Sequence, residues 1–247
     1  MKRLCVPLLA AAAVLAGCAA QPAGGGISAD RADAILAELR DIKRLIAEQR
    51  PKTPEAEAAA QAKVRLADVA PNVIGAATAA VTLIEFTDYE CPFCRRFHEH
   101  TWPELRAKYV ATGKVRFVVR DMPLAFHSQA LPAAVAARCA GEQGRFAAVF
   151  DALIAAPELS ATAVRAIVAR AGVAAAPFER CVAGPAVHQA IELDTAEAER
   201  LGINGTPGFV IAQRSGSQLE GVVVVGAQPL SAFTSRLDAL LGAPRAN

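Results

Sequence analysis

Val81-Thr82-Leu83-Ile84-Glu85-Phe86, followed by Thr87-Asp88-Tyr89-Glu90 and then Cys91-Pro92-Phe93-Cys94, is the stretch on which the fold turns. The first six residues are apolar and β-branched, the composition of a buried strand. Residues 95–109 read as a helix, with Phe97, Trp102, Leu105 and Tyr109 as its larger apolar side chains and Pro103 placed to kink or divide it. A CxxC pair between a strand and a helix puts its first cysteine at a helix N-terminus. There, unpaired N–H groups and the helix dipole favour an anion. The thiolate is the reactive form of cysteine, and such positions lower the thiol pKa to roughly 3.5–7.5. Two intervening residues let the second cysteine return one turn later to close a disulfide. Pro92 in the first turn sacrifices no hydrogen bond.

Working outward, Val115–Val119 reads as a second strand introduced by Gly113. An alanine-rich stretch from about 127 to 201 reads as several helices. Phe209–Ile211 and Val222–Val225 are two short strands close together, and Leu230–Leu241 is a final amphipathic helix. The expected fold class is therefore α/β, in the order strand, helix, strand, helical block, two strands, helix. Glu85 stands out, because a carboxylate inside an apolar strand is costly to ionise unless paired, and its pKa should rise. The alternative is an edge strand from which Glu85 points to solvent.

Phe86-Thr87-Asp88-Tyr89-Glu90-Cys91-Pro92-Phe93-Cys94, Arg120-Asp121-Met122-Pro123-Leu124 and Gly205-Thr206-Pro207-Gly208-Phe209-Val210, in this order and spacing, resemble the DsbA-like branch of the thioredoxin superfamily. The resemblance runs from about Val64 to Leu241. It implies a thioredoxin-like fold with a helical insertion at about 127–201, and protein thiol–disulfide oxidoreductase activity. Cys91 would be the attacking, more exposed cysteine and Cys94 the buried resolving one. Pro207 would be a cis proline facing the disulfide, with Thr206 beside it presenting backbone groups to a bound peptide. Glu85 would lie under the active site and move protons to or from Cys94. Phe93 departs from the family, whose oxidases often carry a histidine there that helps hold the thiolate. That departure points to a less oxidising disulfide. No cofactor is implied. Oxidase activity is the family default, and isomerase or reductase work is the alternative direction. A different class of function, a chaperone or copper-binding module whose thiols bind without exchanging, also fits two soft thiolates.

Zinc is disfavoured because no second CxxC or HxxxH accompanies the pair. Arg95 after Cys94 removes the haem-attachment reading. Cys139 and Cys181 lie far apart in the helical block, either as a second disulfide, which the compartment favours, or as two separate buried thiols. His98 and His100 read as solvated or partly buried structural residues, and His127 and His188 show no recognisable partner.

The N-terminus is an address. Met1-Lys2-Arg3 and the apolar run Leu4–Ala16 form a secretory signal too short to span a membrane. It ends in Leu15-Ala16-Gly17-Cys18, which resembles the bacterial lipobox and implies acylation of Cys18; the alternative is an ordinary signal peptide cut near Ala20. Ala19 in place of an aspartate points to the outer membrane. The expected organisation is signal peptide 1–17, tether 18–27, amphipathic helix 28–50, linker 51–63 and thioredoxin-like domain 64–247. In the helix, Ile35, Leu39, Ile42 and Ile46 form a narrow apolar seam, widened by Leu36 and Leu45. That seam either pairs with another copy of the chain or folds back onto the domain. The implied partners are extracytoplasmic protein substrates, a membrane redox partner and further copies of the chain, with the lipid anchor in the membrane. The 247 residues carry a net charge of only +2 and 5% aromatic residues, which excludes a nucleic-acid footprint.

Overall fold

A computed structural model of the chain describes residues 28–49, 63–68 and 72–242. The signal peptide, Cys18, the tether and all of the linker but Lys63 lie outside the described residues. Helix α1, Ala29–Gln49, starts where the Ser28 carbonyl accepts from the Arg31 and Ala32 N–H groups. Asp30 therefore sits in the first turn and does not cap it. Ile35, Leu36, Leu39 and Ile42 are 46–53% exposed, a row of apolar side chains half in water. The side chains of Leu45 and Ile46 lie outside the described set.

Residues from Lys63 onward build the second body around one mixed sheet. Its strands are β1 (Lys63–Ala67), β2 (Val73–Ile74), β3 (Val81–Thr87), β4 (Val115–Asp121), β5 (Gly208–Ser215) and β6 (Gln218–Val225), in the order β1-β6-β5-β3-β4-β2. β3 runs parallel to β4 and antiparallel to β5, so it is the centre of the sheet. Every residue of β3 and β4 is buried, as near-continuous apolar strands covered on both faces should be. Side chains alternate between two cores. Val81, Leu83, Phe117, Val119, Phe209 and Ile211 enter the larger one, while Ile84, Phe86, Val118, Val210 and Ala212 enter the smaller. The edge strands β1 and β2 were not legible as strands, and Lys63, expected to close the linker, is the first residue of β1.

The helices follow the expected order with sharper boundaries. α2 spans Pro92–His100. α3, Trp102–Leu105, restarts after Thr101 with Pro103 in its first turn and runs into a π-helical turn, Arg106–Val110. The helical block is α4 (Ala130–Gly141), α5 (Phe146–Ile154), α6 (Ala161–Arg170), α7 (Ala175–Ala183) and α8 (Pro185–Arg200). The final helix, α9, is Leu230–Gly242. Cys139 on α4 and Cys181 on α7 are joined by a disulfide, with Cα atoms 5.6 Å apart. Beside it, Arg138 pairs with both Asp121 and Asp194, and Arg120 reaches Asp194 at 3.0 Å. These buried charges hold α4 and α8 against the end of β4. Burial pushes the Asp121 carboxyl up to about 6, against the pull of Arg138.

The Cys139–Cys181 bridge closes a loop 42 residues apart in sequence. The chain-entropy account of such a loop gives about 4 kcal/mol. Replacing both cysteines by alanine should therefore lower unfolding stability by about that much in urea titrations. An unchanged midpoint and slope would show that the bridge contributes nothing.

Candidate active site

The site is built where β3 ends and α2 begins. Asp88, in the connecting loop, is buried and accepts four hydrogen bonds. Its Oδ1 takes the N–H groups of Glu90 (2.8 Å) and Cys91 (3.2 Å). Its Oδ2 takes the Leu124 N–H (2.8 Å) and pairs with His127 Nδ1 (2.9 Å). His127, which showed no partner in the sequence, thus ties the β4–α4 loop to the site. Arg95 braces the same loop from the other side by donating to the Tyr89 and Ala156 carbonyls.

Cys91 is the N-cap residue of α2. Both Cys91 and Cys94 are free thiols, so the disulfide expected between them is open in this structure. The Cys91 Sγ donates to the Thr206 carbonyl at 3.3 Å, across the cis Thr206–Pro207 bond region. A hydrogen bond from Cys94 is the largest influence lowering the Cys91 thiol. Burial opposes it, the Thr206 side chain and then the backbone N–H groups of Cys94 and Phe93 assist, and the balance brings the thiol down to about 5. Those two N–H groups are donors that a helix leaves unpaired in its first turn, and Pro92 contributes none. Cys94, with no exposed surface, moves the other way. Burial pushes its thiol well up, helped by the hydrogen bond to Cys91 and by the negative charge of Glu85.

Glu85 is fully buried on the central strand, so the edge-strand alternative does not apply. It lies on the α2 side of the sheet, between Leu83 and Thr87. Its Oε2 is 2.7 Å from His98 Nε2, and both side chains are enclosed. Of the two expected environments His98 has the partly buried one, and its unforeseen feature is its pairing with the buried acid. The signal was available in its spacing from Cys94: residues four apart share a helix face, and an acid buried beneath that face requires a partner. His100, two residues on, is exposed and pairs only with its neighbour Glu99 at 3.7 Å.

Phe93 is half exposed, with the Arg96 guanidinium 5.4 Å from its ring centre. Phe126 and Val225 are also exposed. Phe126 precedes His127 in the loop held by Asp88, and Val225 pairs with Gly208 directly after Pro207. The structure thus gathers Cys91, Cys94, Glu85, Pro92, Phe93, Thr206 and Pro207 at one end of the sheet, whereas Cys139 and Cys181 lie apart in the helical block. Among the described residues, no grouping of three or more His, Cys, Asp or Glu side chains is arranged to hold a metal ion.

The Thioredoxin family profile matches residues 67–221, more than half of the chain. A Rickettsia conorii protein named as a protein-disulfide oxidoreductase is 33% identical over 82 residues, covering 33% of this chain and 29% of that protein. The Na+/H+ antiporter NhaA 3 of Salinispora tropica is 31% identical over 166 residues, covering 66% of this chain and 25% of that protein. The chain thus spans between a quarter and a third of the length of these curated relatives. Among solved structures, alpha-DsbA1 of Wolbachia pipientis superposes with a TM-score of 0.61 at 26% identity, covering 69% of this chain and 90% of that one. A thioredoxin-like oxidoreductase from Silicibacter pomeroyi gives a TM-score of 0.59 at 30% identity, covering 70% and 92%. With a central strand leading into CxxC, a facing cis proline and a buried acid beneath the second thiol, the chain belongs to the thioredoxin family and is a DsbA-like member of it.

Proposed function

We propose that this chain is an extracytoplasmic thiol–disulfide oxidoreductase that exchanges disulfides with envelope or secreted proteins at Cys91 and Cys94. The observation that carries the reading is the opposite displacement of two adjacent thiols, Cys91 down to about 5 and Cys94 well above its usual range. At neutral pH that leaves one thiolate ready to attack and one thiol in reserve. A substrate disulfide would be attacked by Cys91, giving a mixed disulfide that Cys94 then resolves. In the opposite direction, a substrate thiolate attacks Cys91 Sγ of the disulfide and Cys94 leaves. The exposed Phe93, Phe126 and Val225 give an unfolded polypeptide an apolar surface to rest on. The Thr206 backbone next to Cys91 is available to pair with an extended segment.

Direction follows from the same quantity. A stabilised thiolate favours the dithiol form of the enzyme and makes Cys91 a good leaving group, so electrons flow from substrate to enzyme. Phe93 argues for a weaker oxidant than its histidine-bearing relatives. Here the influences lowering Cys91 are the Cys94 hydrogen bond, the Thr206 side chain and the Cys94 and Phe93 backbone N–H groups, none of which needs the side chain at position 93. A membrane redox partner would reoxidise the pair. The proposal extends to a lipid anchor at Cys18 after removal of residues 1–17, a tether over 18–27, outer-membrane residence facing the periplasm, and pairing of α1 with further copies of the chain through its exposed seam. No described helix is long and apolar enough to cross a membrane.

The Cys94→Ala variant should accumulate substrates disulfide-linked to Cys91, seen as non-reducing gel shifts that a reductant removes. An absence of such adducts would sink the exchange reading, as would stoichiometric Cu(I) binding without thiol oxidation. Alkylation of Cys91 should titrate with a midpoint near 5, several units below an ordinary thiol at about 8.5. Because the folded value is the depressed one, the thiolate stabilises the reduced protein fully above the unfolded pKa, and this stabilisation is lost as pH falls through 5. Unfolding of the reduced form should therefore become easier from pH 9 to pH 5, relative to the oxidised form. Sedimentation should show the intact chain as an oligomer that Leu39→Lys with Ile42→Lys converts to monomers. A wild type that sediments as a monomer would remove the self-association claim.

A further inference from the structure

The acid under Cys94 is not a dead end. Glu85 Oε2 is 2.7 Å from His98 Nε2, yet among the described residues neither Glu85 Oε1 nor His98 Nδ1 has a hydrogen-bond partner. Three aromatic rings close in on the imidazole: Phe150 at 5.1 Å, Trp102 at 5.9 Å and Phe117 at 6.2 Å between centroids. On its remaining side, the imidazole helps line a cleft of about 870 Å³ between α2–α3 and α5, with Nδ1 itself buried behind the cleft wall. Arg95, Glu99 and the Arg106–Asp151 ion pair, 2.8 Å across, make that cleft polar, and it is roomy enough for water. The cleft approaches the active helix from the flank, apart from the surface on which Cys91 meets Thr206.

We propose that Glu85 and His98 form a two-residue proton relay linking Cys94 to this lateral cleft, with His98 as a positioning residue that acts through Glu85. The proposal rests on exchange at Cys91 and Cys94. Glu85 starts as a carboxylate paired through Nε2 with the His98 imidazolium; during resolution the Cys94 thiol gives its proton to that carboxylate, and the ring loses its counter-charge. The imidazolium then releases its Nδ1 proton to a water that enters from the cleft, since Nδ1 is buried in this structure, and the ring returns to its neutral form. The Cys94 thiolate attacks Cys91 Sγ and forms the Cys91–Cys94 bond. The bond between Cys91 and the substrate sulfur breaks, and its electron pair leaves on the substrate thiolate. One proton enters the relay and one leaves it. Imidazole suits the task because its two nitrogens can take and give a proton on opposite sides. The other ionisable groups facing the pair are Cys94 on α2 and Tyr89 in the loop, whose hydroxyl also feels Asp121 and Arg138.

The relay separates from a purely structural pair by the conservative variant. Reduced protein is mixed with an aromatic disulfide whose thiolate absorbs visible light. A first thiolate is released as Cys91 is captured, and a second as Cys94 resolves the mixed disulfide at a rate independent of reagent concentration. His98→Gln can still hydrogen-bond Glu85 but passes no proton. It should slow the second phase roughly tenfold, less than the hundredfold or more of a directly acting base, and leave the first phase unchanged. His98→Ala should be slow as well and be restored by added imidazole entering through the cleft. His100→Ala, on the same helix but exposed, should behave as wild type. A His98→Gln second phase at the wild-type rate overturns the relay and leaves the exchange reading intact, as does a slow His98→Ala that imidazole fails to restore. A wild type that never releases the second thiolate overturns the exchange reading itself and the relay with it.

Discussion

Glu85 sits on the central strand of a sheet covered on both faces, and an ionised carboxylate in that position is untenable unless something answers it. The answer comes from α2. His98 meets Glu85 only if the helix face carrying Cys94 and His98 lies directly over β3, and that requirement sets the rotation of the helix. Phe97, one residue earlier, then falls against Phe209 at 4.6 Å and Phe233 at 5.4 Å, locking α2 to β5 and α9. With its rotation and its C-terminal half fixed in this way, the N-terminus of α2 is left at the end of the sheet. There Cys91, buried at the margin of the larger core, stands opposite the Thr206 carbonyl. The buried acid thus decides where the reactive sulfur stands.

The second fixed point is Asp88. A buried carboxylate with four donors is well satisfied, and its donors come from three places: the loop before α2, the Leu124 backbone and His127. It couples the start of α2 to the segment that carries Phe126. Movement of the apolar surface beside Cys91 therefore has to break hydrogen bonds to a charged group, which are stronger than neutral ones. The segment carrying Phe126 and the N-cap position of Cys91 are held by the same side chain.

Much of this was readable in the sequence, because its informative residues act locally. An apolar β-branched run makes β3 recognisable, a proline after the first cysteine marks the helix start, and Thr206-Pro207 before another apolar run places the facing loop. What escaped reading depends on distant partners. β1 is a strand only because β6 offers it an edge, from Lys63 paired with Val222 to Ala67 paired with Gln218. β2 is only Val73–Ile74, too short for any alternation to show. His127 gains its meaning from Asp88, 39 residues earlier. His98 was the recoverable case. Compared with His100 it looks ordinary, but compared with Cys94 four residues before it and Glu85 beneath it, its role becomes visible.

The two thiols then divide the work by environment alone. They share one motif and one hydrogen bond, yet Cys91 meets helix N–H groups while Cys94 meets a dry core and a negative carboxylate. Stabilising the charge on one raises the cost of charging the other, so the pair holds a single negative charge at neutral pH. In the oxidising direction Cys94 is the leaving group, and it must acquire a proton in a place water does not reach. In the reducing direction it must lose that proton in the same place. By microscopic reversibility a single route would serve both, so the proposed relay carries no information about direction. The charge on Cys91 is favoured first by the hydrogen bond from Cys94, then by the Thr206 side chain and the helix N–H groups, none of which is the side chain at position 93. The substitution of phenylalanine at the residue expected to tune the potential leaves the main source of thiolate stabilisation in place.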